Sequence, residues 1–170
     1  MNKKVEGIKV IKIRQLYEAD IDKVFDLIQT IGEEKKDDGT FDYSTNKDWY
    51  LDMIKSSYCV GCFLNDNLVS SFLTTRGTDR LEFCKSAGLS DDEISKTMIF
   101  ETCQVLQKHR GNGLQVRLGK EIYKSIRGGY KIILATIHQD NIASLKSLQK
   151  LGFRIYKEVD FRYILRYDIK

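Results

Sequence analysis

The chain has 170 residues, is 42% apolar and 31% charged, and carries a net charge of +4. That apolar content suits one ordinary domain over 1–170 and argues against disorder. Apolar runs such as 58–64 and 132–137 are too short to cross a bilayer.

The charge is unevenly spread. Residues 15–102 hold nine Lys/Arg against 18 Asp/Glu, whereas residues 103–170 hold 14 against five. Two sides of the protein are therefore expected to meet different partners. The first 14 residues carry five Lys/Arg without a continuous apolar stretch, unlike a secretory leader. Together with four scattered cysteines this points to a reducing cytoplasmic setting with free thiols.

In chain order, residues 8–16 alternate Ile8, Val10, Ile13 and Leu16 with Lys9, Lys12 and Arg14, which predicts a strand. Asp20 is expected to N-cap a helix carrying Val24, Leu27 and Ile28, with Gly32 ending it. Residues 33–45 read as an acidic loop, and 47–57 as a short second helix. Strands at 58–64 and 68–75 flank Asn65-Asp66-Asn67, a hairpin signature because these residues tolerate positive φ. Residues 77–96 are irregular, with a helix around 90–95, and 97–106 form a strand. Gly111 and Gly113 open a helix whose stripe is Leu114, Leu118, Ile122 and Ile126, closed by Gly128-Gly129. A β-branched strand at 131–137 precedes a helix at 141–151, with Ile142, Leu145, Leu148 and Leu151 inward and Gly152 as its stop. Strands at 153–159 and 162–169 finish a mixed α/β order.

The segment Lys108-His109-Arg110-Gly111-Asn112-Gly113-Leu114 carries the clearest chemistry. It joins a strand to a helix through two glycines. Backbone N–H groups converge there, and a helix N-terminus adds its dipole, which makes a pyrophosphate cradle. A Walker loop would need Gly-Lys-Ser/Thr, but Leu114 and Gln115 follow Gly113. A dinucleotide fingerprint would need a small residue where Val116 stands. The plain alternative is a β–α turn with a solvated basic rim.

About 30 residues on comes Asn141-Ile142-Ala143-Ser144, and later Gly152-Phe153. With 108–113 these resemble the GNAT superfamily of acetyl-CoA-dependent N-acetyltransferases, whose phosphate motif Gln/Arg-x-x-Gly-x-Gly/Ala is matched except at Lys108. Ile13-Arg14 with Asp20, and the 58–75 hairpin, sit where that family has its first strand, helix start and hairpin. The resemblance implies a mostly antiparallel α/β sheet with a splayed central strand pair and helices on both faces. It implies acetyl-CoA as co-substrate, no metal, and an amine acceptor attacking the thioester directly in a ternary complex. Backbone groups from Cys103 through Val105 to Leu106 would pair with the pantetheine arm. Lys108, His109, Arg110, Gly111, Asn112, Gly113 and Leu114 would hold the pyrophosphate, and Asn141, Ser144 and Lys146 would border the cofactor.

Glu101 is the candidate base, expected on the same strand face as Val105, with a strand-edge carboxylate as the competing reading. His138, at the end of the opposing strand, is a candidate relay, against a structural loop histidine. Two departures stand out. Leu148 occupies the position where many members carry a Tyr acting as general acid, and Gln107 replaces a frequent Pro. Tyr156 or Tyr163 from the terminal strands, or solvent, would take the place of that acid. The acidic segment Glu33, Glu34, Asp37, Asp38, Asp42 is expected either to be plain surface or to attract a cationic amine, with Tyr43, Trp49 and Tyr50 as walls. Cys59-Val60-Gly61-Cys62 has knuckle spacing, but its two thiols point to opposite strand faces and lack partner ligands. The rival function is an acyl-CoA-binding sensor without turnover. A nucleic-acid face ranks last because the basic half lacks interleaved aromatics. Either a monomer or a homodimer is compatible with the sequence.

Overall fold

The computed structural model describes residues 11–35, 43–126 and 129–170. Its elements run β1 (Ile11–Gln15), α1 (Ile21–Lys35), α2 (Lys47–Ser56), β2 (Val60–Leu64), β3 (Asn67–Arg76), α3 (Leu81–Ser86), α4 (Asp91–Ser95), β4 (Thr97–Val105), α5 (Leu114–Ser125), β5 (Ile132–His138), α6 (Ile142–Lys150), β6 (Arg154–Val159) and β7 (Arg162–Asp168). The seven strands form one sheet in the order β1-β2-β3-β4-β5-β7-β6. Every neighbouring pair is antiparallel except β4 and β5, which run parallel.

Apolar residues cover both faces of the sheet, as the alternation in its strands requires. On one face α5 and α6 pack Leu118, Ile122 and Leu148 against Phe72, Met98 and Phe100. On the other, α1 and α2 bury Val24, Ile28 and Tyr50 against Leu16 and Leu73, while Cys84, Leu89 and Ile94 cover Ile99 and Leu134. The β2–β3 turn holds Asn65 at φ 48° and Asp66 at φ 64°, a two-residue hairpin loop of the kind its sequence announces. Ser90 caps α4, accepting from the Glu93 N–H while the Glu93 carboxylate accepts from the Ser90 N–H.

Several local expectations change. Asp20 does not cap α1. It closes a 3-10 turn (Glu18–Asp20), and its carboxylate takes two bonds of 2.7 Å from Arg14 and one from the Tyr17 N–H. The Arg14 bonds outweigh burial and hold the Asp20 carboxyl below its usual range. Gly32 does not end α1, which continues to Lys35, so the start of the expected 33–45 loop is helical. A Cβ on Gly32 would fall 2.5 Å from the Tyr43 ring, so the glycine serves a close approach there. Ile142 is 50% exposed in the first turn of α6 instead of facing inward. Residues 8–10, Asp37, Asp38, Asp42 and Gly128 lie outside the described residues.

Candidate active site

The site begins where the two parallel strands part. Pairing between β4 and β5 runs from Thr97↔Ile132 to Phe100↔Ala135 and stops there. Both strands continue, β4 against β3 as far as Val105 and β5 against β7 as far as His138. A bulge accompanies the split. The β3 register jumps from Leu73↔Thr102 to Thr74↔Phe100 and leaves Glu101 as the extra residue. Such a bulge bends its strand and re-aims the side chain.

On the α5–α6 side a groove of about 560 Å³ opens between the parted strands. Cys103, Val105, His109, Arg110, Gly111 and Gly113 line it from the strand and loop. Leu114, Asn141, Ser144 and Lys146 line it from the two helix starts. Gly111 (φ 79°) and Gly113 (φ 67°) adopt the left-handed conformation, and a Cβ at either would meet nothing within 4 Å. The loop backbone therefore faces open space. Gly113 heads the twelve-residue α5 without a side-chain cap, so the first N–H groups of that helix take no intrahelical partner. The His109 Nε2 is buried and has no hydrogen-bond partner. These features suit a phosphorylated ligand such as the coenzyme moiety of acetyl-CoA.

The surrounding side chains are partly committed. Asn141 Oδ1 accepts from the Ser144 N–H as the cap of α6, leaving its Nδ2 to reach a ligand. Gln115 Nε2 donates to Ser144 Oγ and ties α5 to α6. Arg110 Nε donates to the Val105 carbonyl, and its Nη2 pairs with Glu34 at 3.3 Å. Asn112 turns its amide back onto the His109 and Arg110 carbonyls, and Lys108 is exposed. Neither of these two side chains lines the groove, so any contribution from Asn112 comes from its backbone.

On the opposite side of the sheet lies a cleft of about 740 Å³. Glu101 and His138 both line it, from the two parted strands. Glu101 does not share a face with Val105 as simple alternation predicts. Val105 packs toward α5, whereas Glu101 Oε1 accepts from Thr75 Oγ1 at 2.7 Å on the α3 side. The bulge accounts for the inversion. The Glu101 side chain is 11% exposed and its Oε1 lies 3.5 Å from Arg80 Nε. His138 Nδ1 accepts from the Asp140 N–H at 3.2 Å, which places the proton of the neutral ring on Nε2. Cys103, Asn141 and Ser144 line both groove and cleft, so the two spaces meet at the strand split. Burial pushes the Cys103 thiol well above its ordinary range, which leaves it protonated and inert as a nucleophile at neutral pH.

Comparison with known proteins bears on the fold. A family model described as FR47-like protein matches residues 94–162, the span from α4 to the start of β7. PaiA N-acetyltransferase from Thermoplasma acidophilum, solved with coenzyme A, superposes with a TM-score of 0.73 at 13% identity over 94% of this chain and 99% of that one. The chain has the GNAT fold. A GNAT-family acetyltransferase from Streptococcus pneumoniae gives a TM-score of 0.70 at 17% identity, covering 95% and 100% of the two chains. YncA from Salmonella typhimurium, solved with its cofactor acetyl-CoA, gives 0.71 at 17% identity, covering 95% of each. At 13–17% identity these are likenesses of fold. A search of curated proteins finds no match.

Within this GNAT fold several lining residues carry no motif. Arg80, Phe83 and Thr102 enter the cleft, and Lys150 joins Lys146 one turn along α6 beside the groove. Only the last pair had a sequence signal, two lysines at i and i+4. Leu148 is buried in the core under α6. Tyr156 and Tyr163 line neither space. Trp49 and Tyr50 do line the cleft. Glu33 and Glu34 do not: Glu33 accepts from the Tyr43 hydroxyl, and Glu34 stands beside the glycine loop, paired with Arg110. Cys59 and Cys62 belong to cores on opposite faces of the sheet. Among the described residues no three His, Cys, Asp or Glu side chains gather as a metal site, and no helix is long and apolar enough to cross a membrane.

Proposed function

We propose that this protein moves an acetyl group from acetyl-CoA to a primary amine by direct attack in a ternary complex. The observation that carries the reading is the strand split after Phe100 and Ala135. It joins a glycine-lined groove at the start of α5 to a separate cleft on the other face. Two reactants entering from opposite faces meet at Cys103, and their approach becomes effectively intramolecular. The unpaired edge of β4 offers backbone groups to the pantetheine arm and to the acetyl carbonyl. The open loop at Gly111–Gly113 and the start of α5 take the pyrophosphate.

Glu101 is the base that receives the amine proton, with Thr75 and Arg80 fixing one carboxylate oxygen and leaving the other for the acceptor. His138 stands on the facing strand as a relay. The buried Leu148 supplies no acid, so the departing thiolate takes its proton from the amine through water. That same leucine supports a second reading, an acyl-CoA-binding sensor without turnover.

Calorimetry with acetyl-CoA, followed by thiol release over a panel of amines, tests the proposal. Binding with amine-dependent thiol release is expected. Binding without release supports the sensor, and absence of binding overturns both readings.

A further inference from the structure

Resting on the acetyl-transfer reading, the geometry points to an acceptor class: an α-amino acid, whose amine and carboxylate are held by the Glu101–Arg80 pair. The cleft contains a carboxylate and a guanidinium side by side at its inner end. Arg80 Nε lies 3.5 Å from Glu101 Oε1, which also accepts from Thr75 Oγ1. Among the described residues, the Arg80 Nη groups and Glu101 Oε2 take no hydrogen-bond partner. The pair therefore presents one free acceptor beside one free two-pronged donor. An α-amino acid offers the inverse, an ammonium with carboxylate oxygens about 3 Å from its nitrogen. A guanidinium fork binds a carboxylate through two parallel bonds, which sets orientation as well as affinity.

The rest of the cleft fits the same ligand. Arg162 brings a second guanidinium to the β5 side, donating to Thr136 Oγ1 at 3.4 Å. Trp49, Phe83 and Phe161 supply aromatic surface for an apolar side chain, and Phe161 is 73% exposed at the β6–β7 turn. A polyamine lacks the carboxylate that would answer the Arg80 fork; of the acidic segment, Glu33 and Glu34 do not line this cleft, and Asp37, Asp38 and Asp42 lie outside the described residues. Against the Glu101–Arg80 pair the ammonium gives one proton to Glu101. The neutral nitrogen then forms the C–N bond with the thioester carbonyl carbon, the C–S bond breaks, and the second amine proton ends on the thiol of coenzyme A. Glu101 returns its proton to solvent.

The test compares each apolar or aromatic α-amino acid with its decarboxylated amine, for example phenylalanine with phenethylamine and tryptophan with tryptamine, alongside a polyamine. Thiol release is read after acetyl-CoA binding has been measured by calorimetry. At least one amino acid should exceed its own decarboxylated amine by about 10-fold or more in kcat/KM. Arg80→Gln should then lower that preference ratio by about 10- to 100-fold, with partial recovery in Arg80→Lys. Using the ratio removes any general disturbance of Glu101. The inference is overturned if acetyl-CoA binds but no α-amino acid is acetylated, if amines lacking a carboxylate are acetylated equally well, or if the ratio survives Arg80→Gln. Loss of acetyl-CoA binding by the parent protein would instead overturn the functional reading beneath it.

Discussion

Gly113 separates what the loop does for the fold from what it does for a ligand. At φ 67° it lies in the left-handed region, and a Cβ there would contact nothing within 4 Å. Gly113→Ala therefore costs only backbone strain in the free protein, about 1–2 kcal/mol. For a chain of this size that lowers the melting temperature by about 2–8 °C. The space the new methyl group enters is the space assigned to the pyrophosphate, so acetyl-CoA affinity should fall as well. Gly113→Asp adds charge. One carboxylate about 5 Å from two phosphate charges, at an effective dielectric of about 40, is repelled by roughly 3 kcal/mol, a loss of about 150-fold in affinity. Titration calorimetry at fixed ionic strength, paired with thermal melts of each variant, reads both effects. A normal melt shift combined with an acetyl-CoA Kd within about threefold of the parent for Gly113→Asp would refute the cradle assignment.

Other expectations follow from the same geometry. Glu101→Gln should lower kcat by about 10²- to 10⁴-fold while acetyl-CoA still binds, measured by thiol release and calorimetry; an unchanged kcat would remove Glu101 as the base. Asp20→Asn breaks a nearly buried, doubly bonded ion pair with a partly exposed arginine, and should cost about 2–3 kcal/mol in urea unfolding. Arg14 lowers the Asp20 carboxyl, so the pair's stabilisation is present above the ordinary carboxylate range and is lost as pH falls through the lowered value. Below about pH 4 the parent and Asp20→Asn should converge in stability. Burial raises all four thiols, Cys59 to about 12. Thiol titration at pH 8 should label the native chain slowly and all four cysteines on unfolding, and fast labelling of native Cys59 would contradict its burial.

Signals within a few residues transmitted well from sequence to structure. Asn65 and Asp66 form the positive-φ turn, Ser90 and Glu93 form a capping box, and Gly111 and Gly113 open α5. Each depends on backbone conformations that neighbouring residue types control directly. Gly32 failed as a stop because the tertiary contact with Tyr43 outweighs a cost of about 1 kcal/mol for glycine in a helix. Asp20 failed as a cap because Arg14, on another element, offers a stronger partner than a neighbouring N–H.

The candidate site divides along the same line. The groove at the start of α5 was legible because glycines and backbone gather there in one contiguous loop, whose conformational demands the residue types display. The cleft on the other face was not, because its groups converge from α2, α3, β4, β5 and the β6–β7 turn. The bulge at Glu101 shows the difference most clearly. Alternation alone sends that carboxylate toward α5, but one extra residue in β4, visible only against the register of β3, turns it to the opposite face beside Arg80. Residue order determined where chain direction and backbone freedom lie. Only the packed sheet decided which distant charges share one cleft, because strand register is set by the partner strand as well as by the residues of β4 itself.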